Sequence, residues 1–400
     1  MTVFDAQKDL AAPTVLDVVT GADPFPCYAT VRAAPPARCA RTGLWLVARH
    51  ADLQQALADP ALHVRPPAAP GAPWLAGGPA AILFRQHVRM SDGADHRARR
   101  ERLLAGLRTL PPTDRLAGIA GAQVGARLAG RPPGMAFDAM ADLAVPLPPA
   151  CIARWLGLPD AVADRVAAEA VRFVPALLPW SGAAEIAAAQ DAAARLIDML
   201  ETPAREGRLP FFAALTDPAA PGRPLTIGEA VAAAAGLLAQ SCEATTGLVG
   251  LTLLAVLRDP ALAPVLQGDG AGALLCEVMR FDPPIHNTRR TAAAAVTIGG
   301  AAIPAGDGLL LLLAAGGRDG AAYADPDSFV ADRFLAPQVP PPPAFGAGGH
   351  RCPGSRAALA IAGGALAALL RDRPSLALLE SSIAWRPSQN ARIPARLPVA

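Results

Sequence analysis

Two stretches of this 400-residue chain carry reactive side chains where the surrounding pattern does not call for them. In a long apolar run, QSCEATTG (residues 240 to 247) places an acid, an amide, a thiol and three hydroxyls where hydrocarbon is expected. An ionised carboxyl is costly in a low-dielectric interior, so Glu243 must pair with a partner or exchange a proton. Near the C-terminus, PAFGAGGHRCPGSRAALAIAGG sets Cys352 in a glycine-rich turn just before a helical pattern. Backbone N–H groups at a helix start depress the basicity of such a sulfur and favour the thiolate, the form in which cysteine ligates a metal.

The acid needs a helix to hold it. Thr226, with Glu229 three residues on, forms a capping-box pattern, and the apolar spacing then runs to Arg258 before Asp259-Pro260 stops it. Such a helix is roughly 50 Å long and could cross a whole domain. Its apolar character also admits a membrane span, but Glu243, Gln240 and the hydroxyls make lipid exposure costly and favour a buried central helix. Three- and four-residue spacing predicts further helices over 136 to 156, 161 to 175 and 183 to 202. Strand signals are short: Gly43 to Val47, TIGGAAIPAG (297 to 306) and GLLLLLAA (308 to 315). Proline-rich stretches at 65 to 74, 217 to 224 and 337 to 343 read as loops, and no repeat or linker divides the chain. These patterns predict one mainly α domain with small β-sheets over residues 1 to 400.

A net charge of +2 excludes any global pull toward nucleic acid or an anionic membrane. Six cysteines scattered without a CxxC pair indicate neither a zinc site nor a disulfide framework and fit a reducing compartment. MTVFDAQKDLAAPT lacks a basic start followed by an apolar stretch, so neither signal peptide nor membrane anchor is expected and a cytoplasmic location is.

Phe345, Gly346, Gly348, His350, Cys352 and Gly354 together resemble the haem-binding signature of cytochrome P450, at all six positions. The resemblance implies that fold and haem b, with the Cys352 thiolate as axial metal ligand, Phe345 shielding the sulfur and His350 bonding a propionate. Glu277 and Arg280 in CEVMRFDPP look like the family's Glu-x-x-Arg pair, completed by Arg333 from ADPDSFVADRF in a structural role. SDGADHRARRERL is similar to the segment that offers a His and an Arg to the haem, here His96 and Arg100, and Arg290 matches a further propionate-binding position. Where the family often has Ala-Asn-Arg-Asp, this chain has GGRD (316 to 319); folding is expected to be unharmed because Arg318 and Asp319 remain.

Against the family's distal pattern, Glu243 is the acid and Ala244 stands where a hydroxyl is usual. The family's acid–alcohol pair delivers protons during dioxygen activation. Thr245 lies about 100° further around the helix, so it cannot take the missing place without distortion, whereas Thr246 could support Glu243 from the same side. Either substrate or an ordered water supplies the hydroxyl, or the enzyme couples radicals without inserting oxygen; both stay open. Gln240 shares a face with Glu243 and Ala244, with Ser241 beside it, and is expected either to meet substrate or to turn back to a helix carbonyl or a bound water. By analogy the pocket also draws on Trp74, Leu75 and Phe84, on Arg172, Phe173 and Trp180, and on Ile285 to Thr288 with Asn287. The implied function is oxidation of a small or medium organic substrate, tailoring a secondary metabolite. Separate ferredoxin and ferredoxin reductase would supply electrons, docking on Arg97, Arg99, Arg351 and Arg356. The alternatives are an oxidative coupling enzyme and a non-catalytic haem-binding protein.

Overall fold

A computed structural model describes residues 14 to 66, 71 to 220 and 222 to 400. The N-terminal stretch read for a signal peptide lies mostly outside the described residues, as do part of the 65 to 74 loop and Pro221.

The central helix spans Ile227–Arg258 with Thr226 as its N-cap. The capping box closes as the sequence predicts: the Thr226 amide donates to Glu229 Oε2 at 2.9 Å and Thr226 Oγ1 accepts from the Glu229 amide at 3.3 Å. Arg223 clamps the same carboxylate at 2.8 and 2.9 Å and, first among several causes, holds its pKa down to about 2. By length and composition this helix could span a membrane, yet nearly three-quarters of its most apolar window is buried in protein. Missing side chains let its neighbours approach closely. A Cβ on Gly247 would fall 2.3 Å from Pro284 Cβ, and one on Gly250 would fall 2.6 Å from Met140 Sδ.

Helices 161 to 175 and 183 to 202 of the sequence reading emerge as Asp160–Phe173 and Ala183–Glu206. The helix expected over 136 to 156 does not form as one piece. Phe137–Asp138 is a strand paired with Pro398–Val399, Ala139–Ala144 is a π-helical turn, and only Leu147–Trp155 is α-helical. Pro146, Pro148 and Pro149 explain the break, since proline has no N–H to donate and cannot continue the preceding ladder. GLLLLLAA likewise divides into strand Gly308–Leu311 and the short helix Leu313–Gly317. Within 297 to 306, Val296–Ile298 and Ala301–Ile303 form a hairpin turning on Gly299 and Gly300, at φ +55° and +85°, a pair of positive values that suits glycine.

A five-stranded sheet orders Ala37–Arg38, Trp45–Val47, Gly308–Leu311, Thr288–Ala292 and Leu62–His63. Only Trp45–Val47 with Gly308–Leu311 is parallel. Pairing of Arg290 with Leu309 fixes that arginine in the sheet next to the site. Helix Ser355–Asp372, which follows Cys352, packs tightly on Thr113–Leu128, where a Cβ on Gly364 would fall 2.2 Å from the Ala117 carbonyl oxygen.

Glu277 and Arg280 are wholly buried and joined by two bonds of 2.7 and 2.6 Å. Arg333 adds a contact at 3.2 Å, the Val330 amide donates to the same carboxylate at 2.8 Å, and Arg280 also donates to the carbonyls of Gly317, Pro326 and Ser328. GGRD fits here: a Cβ on Gly317 would lie 2.3 Å from the Arg280 carbonyl oxygen, while Asp319 accepts from the His50 amide at 2.7 Å. Removing one member of such a cluster leaves a buried charge unpaired, at a cost of about 3–5 kcal/mol. Glu277→Ala is therefore expected to lower the urea midpoint sharply and Glu277→Gln less so; an Ala variant as stable as the parent would show that the cluster is dispensable.

Candidate active site

Cys352 sits between a short 3-10 turn, Gly348–His350, and helix Ser355–Asp372. Its amide donates to the Phe345 carbonyl at 2.8 Å, closing the loop. Gly346 and Gly348 take φ of +68° and +60°, and a Cβ on Gly348 would fall 2.6 Å from Ala58 Cα, so both conformation and space require glycine there. A Cβ on Gly354 would meet no atom within 4 Å, so nothing in the protein accounts for that glycine. Desolvation pushes the Cys352 thiol up, opposed by the Gly354 backbone and the charges of Arg100, Arg89 and Arg351. Desolvation pushes Cys151, opposed by Arg154 and Arg127, and Cys242, reinforced by Glu243, up to about 12.

Cys352 and Arg89 are open at their surfaces, yet desolvation dominates the ionisation of both. Groups in that position line an internal cleft. Desolvation and repulsion from Arg89 bring the Arg290 pKa down to about 10, and its hydrogen bonds go to Thr288 Oγ1 and the Arg289 carbonyl rather than to a carboxylate. Desolvation also brings buried Arg65 down to about 10, and its Nε and Nη1 have no hydrogen-bond partner. Arg100 donates to the Arg351 carbonyl at 2.6 Å, tying helix Gly93–Arg108 to the ligand loop. Arg65 and Arg89 escape sequence reading because neither belongs to a motif: Arg65 opens a proline-rich stretch, and Arg89 follows Arg85 by four residues in a segment with no signature of its own.

His96 and His350 stack with ring centroids 4.0 Å apart. His350 Nε2 faces Asp92 Oδ1 at 3.3 Å, a contact that a propionate bond at that nitrogen would have to replace. His96 Nε2 is the one without a partner, and burial, with His350 and Arg100 nearby, lowers its pKa to about 4.

On the central helix Glu243 is half-buried, and desolvation raises its pKa against the opposing charges of Arg89 and Arg386. Thr246 does not support it. Its hydroxyl donates to the Ala144 carbonyl at 2.8 Å, because the π-helical turn leaves a buried acceptor there that needs a donor. Thr245 is buried beside it. Gln240 Nε2 turns back to the Gly236 carbonyl at 3.0 Å, and Ser241 Oγ to that of Leu238 at 2.7 Å, so Ser241 spends its hydroxyl within the helix.

The remaining pocket expectations divide. Trp74, Phe84 and Phe173 pack inward: Trp74 stands edge-on to Phe84 at 5.6 Å, and Phe173 edge-on to His87 at 5.9 Å. Leu75 is buried and Ile285 half-buried. Trp180 and Arg172 are exposed, and Arg172 pairs with Glu169 three residues earlier on the outer face of helix Asp160–Phe173. Asn287 is buried with its amide committed to the Gln389 carbonyl at 2.8 Å, which ties down the C-terminal segment instead of facing a ligand. Of the basic patch, Arg97, Arg351 and Arg356 are exposed, whereas Arg99 is bound to Asp95 and Glu229. A cleft of about 250 Å³ beside the loop is lined by Arg97, Arg100, Arg108 and Gly349, among others.

The family profile described as Cytochrome P450 matches residues 272 to 372, which hold both the Glu277–Arg280 pair and the Cys352 loop. The Cytochrome P450 monooxygenase PikC of Streptomyces venezuelae is 32% identical over 98% of this chain and 96% of its own length. The chain belongs to the cytochrome P450 family. It is similar also to the Vitamin D(3) 25-hydroxylase of Pseudonocardia autotrophica, 29% identical over 94% of this chain and 93% of that protein. Among solved structures, CalO2 matches 98% of this chain and 99% of its own with a TM-score of 0.84 and 25% identity. The protein is thus a helix-rich P450 oxidoreductase, and P450 enzymes in general carry haem on a cysteine thiolate.

The residues present fit that group. Among the described residues no set of three or more His, Cys, Asp or Glu side chains is placed to hold a metal ion. Arg65, Arg89, Arg290 and the unpartnered His96 nitrogen want an anion, which propionates provide. The bare backbone at Gly354 leaves room for a flat ring.

Glu243 gives a pH test. A carboxyl whose pKa is raised in the folded state stabilises the fold below the unfolded value and loses that contribution as pH rises through the folded value. Glu243→Gln is neutral throughout. Its unfolding midpoint should match the parent's near pH 4.5, the ordinary value for this group, and exceed it near neutrality; equal midpoints at both would show that Glu243 is not desolvated.

Proposed function

We propose that this P450 is a haem-thiolate monooxygenase that tailors a small or medium secondary metabolite in the cytoplasm. The observation that carries the reading is the Cys352 sulfur, open to an internal cleft, next to the backbone at a helix start and within reach of three arginine charges. Haem b bound there would supply the dioxygen activation. Cys352 would hold the metal through its thiolate. Arg290, Arg89 and His96, with Arg100 beside them, would hold the propionates, whose charge would offset the repulsion between Arg89 and Arg290. Phe345 and the glycine turn keep water from the sulfur.

Glu243 handles the protons. Its carboxyl, lifted by burial and flanked by Arg89 and Arg386, can take a proton at Oε and release it toward the cleft. Ala244 offers no hydroxyl, and Thr246 has committed its own to Ala144. The hydroxyl that completes the relay therefore comes from an ordered water or from substrate. The same two observations favour a second reading, in which the substrate is oxidatively coupled and no oxygen is inserted. Arg97, Arg108, Arg351 and Arg356 make the basic face on which an acidic ferredoxin, charged by its reductase, would dock.

Reduced protein exposed to carbon monoxide should show the red-shifted band of thiolate ligation, and Cys352→Ser should lose it; a parent without the band refutes the assignment. Product mass separates the two outcomes: gain of one oxygen marks insertion, loss of two hydrogens marks coupling. Under insertion, Ala244→Thr should increase the share of electrons that appear in product rather than in peroxide. An unchanged share would mean that proton delivery does not pass beside Ala244.

A further inference from the structure

Seven residues before Glu243 the central helix carries Gly236, an interior glycine that costs about 1 kcal/mol relative to alanine. Its neighbours account for it. A Cβ there would lie 3.3 Å from His87 Cδ2, 3.5 Å from His87 Nε2 and 3.4 Å from Gln240 Nε2, so the missing methyl lets the imidazole lie directly on the helix. His87 is 1% exposed and stands edge-on to Phe173 at 5.9 Å. Its Nε2 is buried without a hydrogen-bond partner. A buried polar atom left unmade in this way costs roughly 1–3 kcal/mol, and the fold retains it next to a glycine that admits it.

We infer that His87 and Gln240, converging over Gly236, form a polar anchor for a hydroxyl group of the substrate, about two turns along the helix from the oxidised position. Positions 236, 240 and 243 fall on one face of the helix, and Gly236 to Glu243 is a rise of about 10 Å. A substrate touching both ends bears its hydroxyl about that far from the carbon attacked, which excludes small monocyclic compounds and fits a polycyclic, macrocyclic or long-chain skeleton. A hydroxyl is the fitting group because it both donates and accepts. Burial, with Arg89 and Arg65 nearby, lowers the His87 pKa to about 3, so the ring is neutral and offers one donor and one acceptor. Whichever tautomer it adopts, a hydroxyl can complete Nε2. Gln240 donates through Nε2 to the Gly236 carbonyl, which leaves Oε1 as the second contact.

The inference rests on the haem-thiolate reading, and the test separates the two. 1-Octylimidazole and 8-(imidazol-1-yl)octan-1-ol both ligate haem iron through nitrogen, and the extended eight-carbon chain is about as long as the seven-residue step. Affinity is read from the spectral shift of nitrogen ligation, without turnover. The parent should bind the hydroxylated probe about tenfold tighter, as one good hydrogen bond allows. His87→Phe should bring the two affinities together while leaving that for 1-octylimidazole intact, which also reports a folded pocket. His87→Asn, which keeps a donor and an acceptor, should retain part of the preference. Equal affinities in the parent, or a preference that survives His87→Phe, would overturn the anchor alone. No shift with either probe would overturn the haem-thiolate reading and this inference with it.

Discussion

Buried positive charge is the constraint on which the rest of the site depends. Arg65, Arg89 and Arg290 have each lost hydration, Arg290 and Arg89 repel one another, and the carboxyls whose charges reach them are Asp92 and Glu243. A protein interior does not keep such a group uncompensated unless a ligand brings the missing anions, because desolvating a charge costs several kcal/mol that only close pairing recovers. Asp92 is also bound to His350 and to the Val64 amide, so it cannot serve them all. A dianionic ligand bound there would complete this charge balance and would tie the loop, the sheet edge at Arg290 and helix Gly93–Arg108 together.

The scaffold that brings those charges together is held by a different device. Glu277, Arg280 and Arg333 hold no ligand; they bind the helix Ala271–Phe281 to the carbonyls of the segment that leads into the Cys352 loop. Glycines then set the distances: Gly317 on Arg280, Gly348 on Ala58, Gly247 on Pro284 and Gly364 on Ala117 each mark a place where one methyl would force backbone or core apart. Salt bridge and close approach are complementary. The first fixes register, and the second lets the central helix and the ligand helix lie near enough for the charges of Glu243 and Cys352 both to reach Arg89.

Much of this is legible in the sequence where spacing encodes geometry. The Thr226–Glu229 cap, the Glu277–Arg280 pair and the Cys352 turn are local patterns, and each forms as its spacing requires. What the sequence hides is set by tertiary contact. Thr246 looks free to help Glu243 until the π-helical turn at Ala139–Ala144 presents an acceptor to it, and that turn is invisible because prolines within an apolar run still keep helical spacing. Asn287 looks like a pocket amide until the C-terminal segment claims it. Arg65, His87 and Arg89 belong to no motif, and only the fold shows that Arg65 and His87 keep unmet bonds in the interior and that Arg89 is desolvated.

Ala244 and the stripe formed by Gly236, Gln240 and Glu243 belong to one problem. Replacing a hydroxyl by a methyl beside the acid removes a group that would order water there, so the position of the reacting carbon and of any water between it and Glu243 must be set from elsewhere. A polar anchor two helical turns away can do this at low cost, since a substrate fixed at one end by His87 and confined by Phe173, Phe84 and Trp74 along its length has little freedom left at the other. Selectivity and proton delivery would then be coupled through the substrate itself: a molecule that fails to reach the anchor leaves the acid end loosely packed and admits disordered water. The absent threonine is on this view a consequence of where the helix grips its substrate, because a side chain that orders water in every complex would also support turnover of molecules the anchor does not recognise.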